Sequence, residues 1–233
     1  MQRYMLLSGC EKIHNKLQTQ ETVKGEGMKK SISKPARERL IQLVRLLEQV
    51  QSTEPLAVIT SADIEKRTGW TNATVRRDIS LLGINCASSA GYSIAALIEA
   101  IKAVLNISRS EKKCCIVGLG RLGSALLEFE GFARSSFKIA AGFDSNVNRT
   151  EILSAPFPLY PTSRMEAVIA QEGIEYAILA VPERSAQEAA ERLCKCGIKG
   201  IVNYTSVVLR VNDGTMVENI SVIDALQKLS SAV

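Results

Sequence analysis

Apolar residues follow two different rhythms along this chain. Over residues 35–51 they recur at three- and four-residue spacing, at Leu40, Leu43, Val44, Leu47 and Val50, which predicts an amphipathic helix with Pro35 in its first turn. Residues 61–68 predict a short helix with Ser61 as its cap, broken at Gly69-Trp70. Residues 71–83 predict another, with Val75, Ile79 and Leu82 facing inward and Asn72, Thr74, Arg76 and Arg77 facing outward. Residues 84–92 suit a small wing, and residues 93–107 return to helical spacing at Ile94, Leu97, Ile98, Ile101 and Leu105. Beyond residue 111 the rhythm changes. Short apolar runs alternate with amphipathic stretches, which predicts strand–helix repeats and a parallel sheet covered on both faces. Strands are expected before Gly118, up to Asp144, and over residues 175–181, 198–203 and 216–220, with helices over 163–171, 185–196 and 221–229 and a loop over 146–151.

The predicted fold class is α/β, a winged helix-turn-helix domain followed by a Rossmann domain. Residues 1–33 show no period and read as a flexible extension; 34–92 form the winged helix, 93–110 a linker helix, 111–220 the Rossmann domain and 221–233 a C-terminal helix. Lys24-Gly-Glu-Gly before Met28 is codable by a purine-rich ribosome-recruiting run, so translation is expected to start at either Met1 or Met28.

Charge sharpens this division. The net charge is +5, yet residues 111–233 carry thirteen basic and fourteen acidic groups, so the positive excess lies wholly in front of the Rossmann half. That asymmetry suits an N-terminal unit that meets nucleic acid. No apolar run is long enough for a membrane span and no secretory leader is read, so a cytoplasmic location is expected. Of six cysteines, Cys114 and Cys115 sit in the first Rossmann strand on opposite faces and read as buried small hydrophobes. Cys194-x-Cys196 has no second ligand pair, and His14 is the single histidine, so neither a metal site nor a histidine-based triad is expected.

Two constellations carry chemistry. In the front half, two short helices around a Gly-containing turn make a helix-turn-helix, whose second helix enters a major groove. Ser61, Thr71, Asn72, Thr74, Arg76 and Arg77 are its candidate DNA-binding residues, since hydroxyls, amides and guanidinium groups meet phosphates and base edges. In the back half, a strand runs into Gly118-Leu119-Gly120-Arg121-Leu122-Gly123, an apolar helix pattern follows, and a second strand ends on Asp144, 21 residues past Gly123. The first glycine permits a tight turn, the second lets backbone approach a pyrophosphate, and the third lets the helix pack close to its strand. A carboxylate at Asp144 accepts ribose hydroxyls and repels a 2′-phosphate, which favours NAD(H) as cofactor. Ser145 and Arg149 follow this acid, and Ala180-Val181-Pro182 and Asn203-Tyr204 end strands that line the same crevice. Tyr204 has two open roles, stacking on a nicotinamide or packing in the core.

Taken together, these stretches resemble the redox-sensing transcriptional repressors of the Rex family over residues 31–233. The resemblance rests on Ser31-Ile32, Val75-Arg76-Arg77-Asp78, Gly91-Tyr92, residues 118–126, Glu130-Gly131-Phe132, Phe137-Lys-Ile, residues 141–144, Ala180-Val-Pro, residues 197–203 and Leu226-Gln227. It implies a homodimer that binds a palindromic operator, releases it in response to NADH, and exchanges its C-terminal helix between subunits. It implies no catalytic residue, no metal and no membrane partner. Three positions depart from the family pattern. The wing stretch Asn85-Cys-Ala-Ser-Ser-Ala lacks the family's basic residues, Phe129 stands where the family has Tyr, and Ser221 stands where it has Asp. Arg45 matches the basic partner to which the Tyr and Asp are linked. The expected function is an NAD(H)-responsive DNA-binding repressor. The alternative is an NAD(H)-binding sensor or interaction protein with weakened or lost DNA binding. An oxidoreductase is disfavoured, because residues 111–233 hold no histidine and leave no room for a catalytic domain.

Overall fold

The computed structural model describes residues 32–54, 57–83, 87–88, 90–107 and 110–231. The choice between Met1 and Met28, nearly all of the expected flexible extension, and residues 84–86 and 89 of the wing lie outside them. The chain divides into two compact units, with the boundary between Asn106 and Ile107.

In the first unit, α1 (Lys34–Thr53) carries proline in its opening turn and buries Leu40, Leu43, Val44, Leu47 and Val50. The short helix α2 (Ser61–Thr68) is capped by Thr60, not by Ser61. Thr60 accepts from the Asp63 N–H while the Asp63 carboxylate accepts from the Thr60 N–H, a reciprocal capping box, and the helix ends at left-handed Gly69. Thr71 caps α3 (Asn72–Ser80), which buries Val75, Asp78 and Ile79. Three short strands accompany these helices: β1 (Val58–Ile59), β2 (Ala87–Ser88) and β3 (Gly91–Ser93) form an antiparallel sheet in the order β1-β3-β2. The β2–β3 pair is the described part of the wing. β1 was not legible, because two residues show no period. Ser93 then caps α4 (Ile94–Val104), whose Ile94, Leu97, Ile98 and Ile101 join the same core as α1 and α3. The expected linker helix is therefore a core member of the first unit.

One charged contact lies in this core. Asp78 on α3 is 5% exposed, and Arg39 on α1 clamps its carboxylate through Nε at 2.6 Å and Nη2 at 3.0 Å. A bidentate guanidinium restores what burial removes from the carboxylate, and its planar geometry fixes the rotation of α3 against α1.

The second unit is a six-stranded parallel sheet, β4 (Lys112–Val117), β5 (Phe137–Asp144), β6 (Leu159–Pro161), β7 (Tyr176–Leu179), β8 (Gly200–Asn203) and β9 (Met216–Asn219). Its order is β6-β5-β4-β7-β8-β9, so the chain switches direction between β4 and β7, as in doubly wound dinucleotide folds. Helices α5 (Arg121–Ala125), α6 (Val147–Ile152), α7 (Met165–Glu172), α8 (Glu183–Lys195) and α9 (Val222–Ser230) complete it. Alternation along β4 sends Cys115 and Val117 into one core and Cys114 and Ile116 into the other. Residues 147–152 form a helix where a loop was expected. Asn146 caps that helix by accepting from the Asn148 N–H, and it buries no side chain, so its sequence carries no apolar period. β6 also escaped the pattern, being three residues long, at the sheet edge, and ending in proline.

Two outcomes are expected. Arg39→Ala should cost about 2–4 kcal/mol in urea unfolding, because it strands a buried carboxylate, whereas Arg39→Met combined with Asp78→Leu should cost less than the two single changes summed. Burial pushes the Cys114 thiol up to about 11 and the Cys115 thiol higher still. Both therefore stay protonated at pH 8, and mass spectrometry after iodoacetamide treatment of native protein should find them unmodified until urea is added.

Candidate nucleotide cleft and nucleic-acid helix

The loop after β4 is shaped by contacts that no side chain fits. Gly118 has φ of +96°, and a Cβ there would lie 2.5 Å from the Ala180 carbonyl oxygen. A Cβ on Gly123 would lie 1.8 Å from the Gly118 carbonyl oxygen, so α5 packs on the strand end only through a bare Cα. Gly120 differs from both. A Cβ there would meet no protein atom within 4 Å. Any requirement for glycine at that position comes from what occupies the space in front of it.

That space is a cleft of about 530 Å³. Of the residues anticipated for it, Gly118, Gly120, Asp144, Ser145, Arg149, Ala180, Val181 and Pro182 line it together. It lies at the carboxyl ends of β4, β5 and β7, where the strand order reverses. Asp144 is 3% exposed and braces the loop, accepting from the Leu119 N–H at 2.7 Å and the Asn146 N–H at 2.7 Å. Arg149 approaches the same carboxylate at 3.4 Å. Oδ2 takes both Leu119 and Arg149, whereas Oδ1 takes only the Asn146 N–H among the described residues and keeps a further acceptor position, so the group both sets the loop and retains capacity for a hydroxyl donor.

Other anticipated residues take different places. Leu119 is buried, with its N–H on Asp144, while Arg121 and Leu122 are exposed on α5 and Gly123 sits behind the loop. None of these four lines the cleft. By the geometry of helix starts, the N–H groups of Arg121, Leu122 and Gly123 have no intrahelical acceptor. Asn203 is fully buried and spends its amide internally. It donates to the Val207 carbonyl and to Asn219 Oδ1, and it accepts from the Thr205 N–H and hydroxyl. It pins the loop after β8, a role that the motif did not reveal. Tyr204 packs against the core of Cys114, Ile116 and Ile178 and does not line the cleft.

The cleft also contains residues that the motif did not reveal: Thr162, Met165, Arg184, Ser185, Glu188 and Arg192. Arg184 and Ser185 stand in the first turn of α8 just after Pro182, so the rule that ligands meet helix starts at strand ends was the available signal. Arg192 had none. It is positioned by Glu166, through Nε at 2.7 Å, and by the Thr162 carbonyl at 2.6 Å. This pairing holds the Glu166 carboxyl below the usual range.

In the first unit, α3 presents Thr71, Arg76 and Arg77 on exposed positions and Thr74 half-buried. Thr71 accepts from the Thr74 N–H, and the two hydroxyls share a bond of 2.9 Å. Asn72 is half-buried. Its Oδ1 is buried and finds no hydrogen-bond partner among the described residues. Ser61 is 5% exposed and accepts from Arg76 Nε at 3.2 Å. The partner that the sequence did not reveal for Ser61 is Arg76. Ala73, exposed on the outer face, was missed because alanine carries no chemical signal.

Among the described residues no cluster of metal-ligating side chains occurs, and no helix is long and apolar enough to cross a membrane. Comparison with known proteins places both units. Residues 109–207 match the family described as CoA binding domain, and residues 31–80 match the family described as putative DNA-binding protein N-terminus. The redox-sensing transcriptional repressor Rex of Roseiflexus sp. is 32% identical over 177 residues, covering 76% of this chain and 80% of that protein. Rex 1 of Thermotoga maritima is 32% identical over 204 residues, covering 87% of this chain and 96% of that protein. The crystal structure of RSP, a Rex-family repressor, in complex with beta-NAD+ and operator DNA superposes with a TM-score of 0.80 at 27% identity, covering 86% of this chain and 92% of the other. The same repressor in complex with beta-NADH gives 0.77 at 26% identity, covering 87% and 94%. With relatives of this identity aligned along most of their length, and a repressor fold matched across both units, the chain belongs to the Rex family of redox-sensing transcriptional repressors.

Proposed function

We propose that this chain is an NAD(H)-responsive DNA-binding repressor that acts as a cytoplasmic homodimer on a palindromic operator. The observation that carries this reading is the open space in front of Gly120, faced by the braced carboxylate of Asp144 at the strand switch point. Gly118 and Gly120 would seat a pyrophosphate, Asp144 would accept ribose hydroxyls, and Ala180, Val181 and Pro182 would form the opposite wall. The dinucleotide supplies the redox signal through its nicotinamide ring. The chain converts that signal only if its two oxidation states bind two domain arrangements with different affinity. No residue is assigned a catalytic role, in keeping with relatives that are named as repressors.

The dimer is supported by apolar surface. All nine residues of α9 are exposed, with Val222 at 72%, Ile223 at 63%, Leu226 at 57% and Leu229 at 68%. A nine-residue helix is marginal in water without a surface to pack against. A second copy supplies one, in the exchanged arrangement implied by the family resemblance. Ser221, the departure from the family's Asp, keeps the cap on this helix by accepting from the Asp224 N–H at 3.0 Å, but brings no charge. Phe129 is 57% exposed and packs edge-to-face on Phe132. Without a hydroxyl there or a carboxylate at Ser221, Arg45 needs different contacts for switching. The uncharged wing stretch Asn85-Cys-Ala-Ser-Ser-Ala favours a second reading, a nucleotide sensor with weak or absent DNA binding.

Calorimetry should show NADH binding more tightly than NAD+, and equal affinities would remove redox sensing. Gly120→Ala should lower NADH affinity about tenfold or more with unfolding stability within about 0.5 kcal/mol of the parent, whereas Gly123→Ala should lower both. In sedimentation velocity, Leu226→Asp should shift a dimer toward monomer, and an unchanged profile would place the interface elsewhere. A gel shift at low salt against the chain's own upstream DNA, with and without NAD+, separates the repressor from the second reading, which shows no shift.

A further inference from the structure

We propose that the two adjacent arginines of α3 have separate roles, in which Arg77 reads base edges and sets operator specificity, while Arg76, tethered by the buried Ser61, anchors the helix on a phosphate. The assignment rests on the DNA-binding reading above and deepens it.

The division follows from how α3 is fixed. Its inward positions are Val75, Asp78 and Ile79, and the Arg39 clamp on Asp78 prevents the helix from rolling about its axis. At 3.6 residues per turn, the positions directly opposite this inward stripe are Ala73, Arg77 and Ser80, spaced i, i+4 and i+7. All three are exposed. Arg77 is thus central on the outward face. Among the described residues no hydrogen bond or ion pair holds its guanidinium, so its donors stay available for a guanine edge. Ala73, one turn before it, puts only a methyl group between the helix backbone and the groove floor. Ser80 turns its hydroxyl back to the Arg77 carbonyl at 2.6 Å and offers no competing reader.

Arg76 lies a quarter-turn to the side, on the flank toward α2. There its Nε donates to Ser61 Oγ at 3.2 Å, and Ser61 is buried at the start of α2. The tether consumes one donor and confines the guanidinium to the edge of the helix pair, where a groove-bound helix passes the sugar–phosphate backbone. The N-terminus of α2 offers no substitute anchor, because Thr60 already caps it and the Asp63 carboxylate sets a negative charge there. The anionic charge is therefore met by the Arg76 guanidinium. Ser61 is a positioning residue for Arg76, and it needs no contact with DNA.

The test uses the full-length protein and a duplex that it enriches from a random pool, with a scrambled duplex as control, in fluorescence anisotropy across a potassium chloride series. Arg77→Ala should cut the preference for the selected over the scrambled duplex about tenfold or more, and repeating the selection with Arg77→Gln should change the preferred base at one position per half-site. Arg76→Ala should weaken both duplexes by a similar factor and reduce the salt slope by about one per protomer, with the selected sequence unchanged. Ser61→Ala should follow Arg76→Ala in direction with a smaller effect, and Ser61→Thr, which retains the acceptor, should restore affinity. Circular dichroism melts of each variant within a few degrees of the parent exclude unfolding as the cause. A changed consensus for Arg76→Ala, or equal loss on both duplexes for Arg77→Ala, overturns the separation of roles while leaving DNA binding intact. Failure of the parent protein to bind any duplex at low salt overturns the DNA-binding reading itself, and the assignment with it.

Discussion

The second unit depends on a close approach that only hydrogen permits. Gly123 meets the Gly118 carbonyl, and Gly118 in turn meets the Ala180 carbonyl at the end of β7. These contacts draw α5 onto the end of β4 and bring the neighbouring strand end alongside. Asp144 completes the arrangement from β5 by holding the Leu119 N–H. A turn, a helix start and two strand ends are thereby fixed around one space, and the contacts that shape that space are largely backbone ones.

The first unit solves a similar problem with charge. A nine-residue helix with one exposed face cannot bury a broad apolar stripe. α3 buries Val75 and Ile79 and draws the rest of its anchorage from Asp78, which Arg39 clamps. A planar two-point contact resists rotation better than an apolar contact of similar size. The same helix leaves the Asn72 amide oxygen buried and unpartnered among the described residues, a cost borne at the end nearest its cap.

Two departures from the family pattern, Phe129 and Ser221, lie away from the cores of the second unit, and the third lies in the wing. Phe129 is exposed, Ser221 caps a helix that is itself exposed, and the described part of the neutral wing, Ala87–Ser88, is an edge strand. None of the three belongs to the glycine loop, the Asp144 brace or the Arg39 clamp.

The sequence by itself determined the order of elements, the glycine loop and its acid, and the inward stripes of α1, α3 and α4, because each rests on local backbone geometry or on the helical period. It did not reveal α6, β6 or β1, whose few residues bury too little to impose a pattern. It also left several partnerships unread. Ser61 looked like the cap that Thr60 is, the Ser61–Arg76 bond and the internal bonds of Asn203 left no trace, and residues 93–110 looked like a linker where Ile94–Val104 packs into the first core. Only the tertiary structure decided these, because a polar side chain takes its role from the partner it meets across the fold. Arg76 lies fifteen residues from Ser61, and Asn219 lies sixteen from Asn203. Period and spacing along a chain report which face a residue occupies, and they are silent on what waits there.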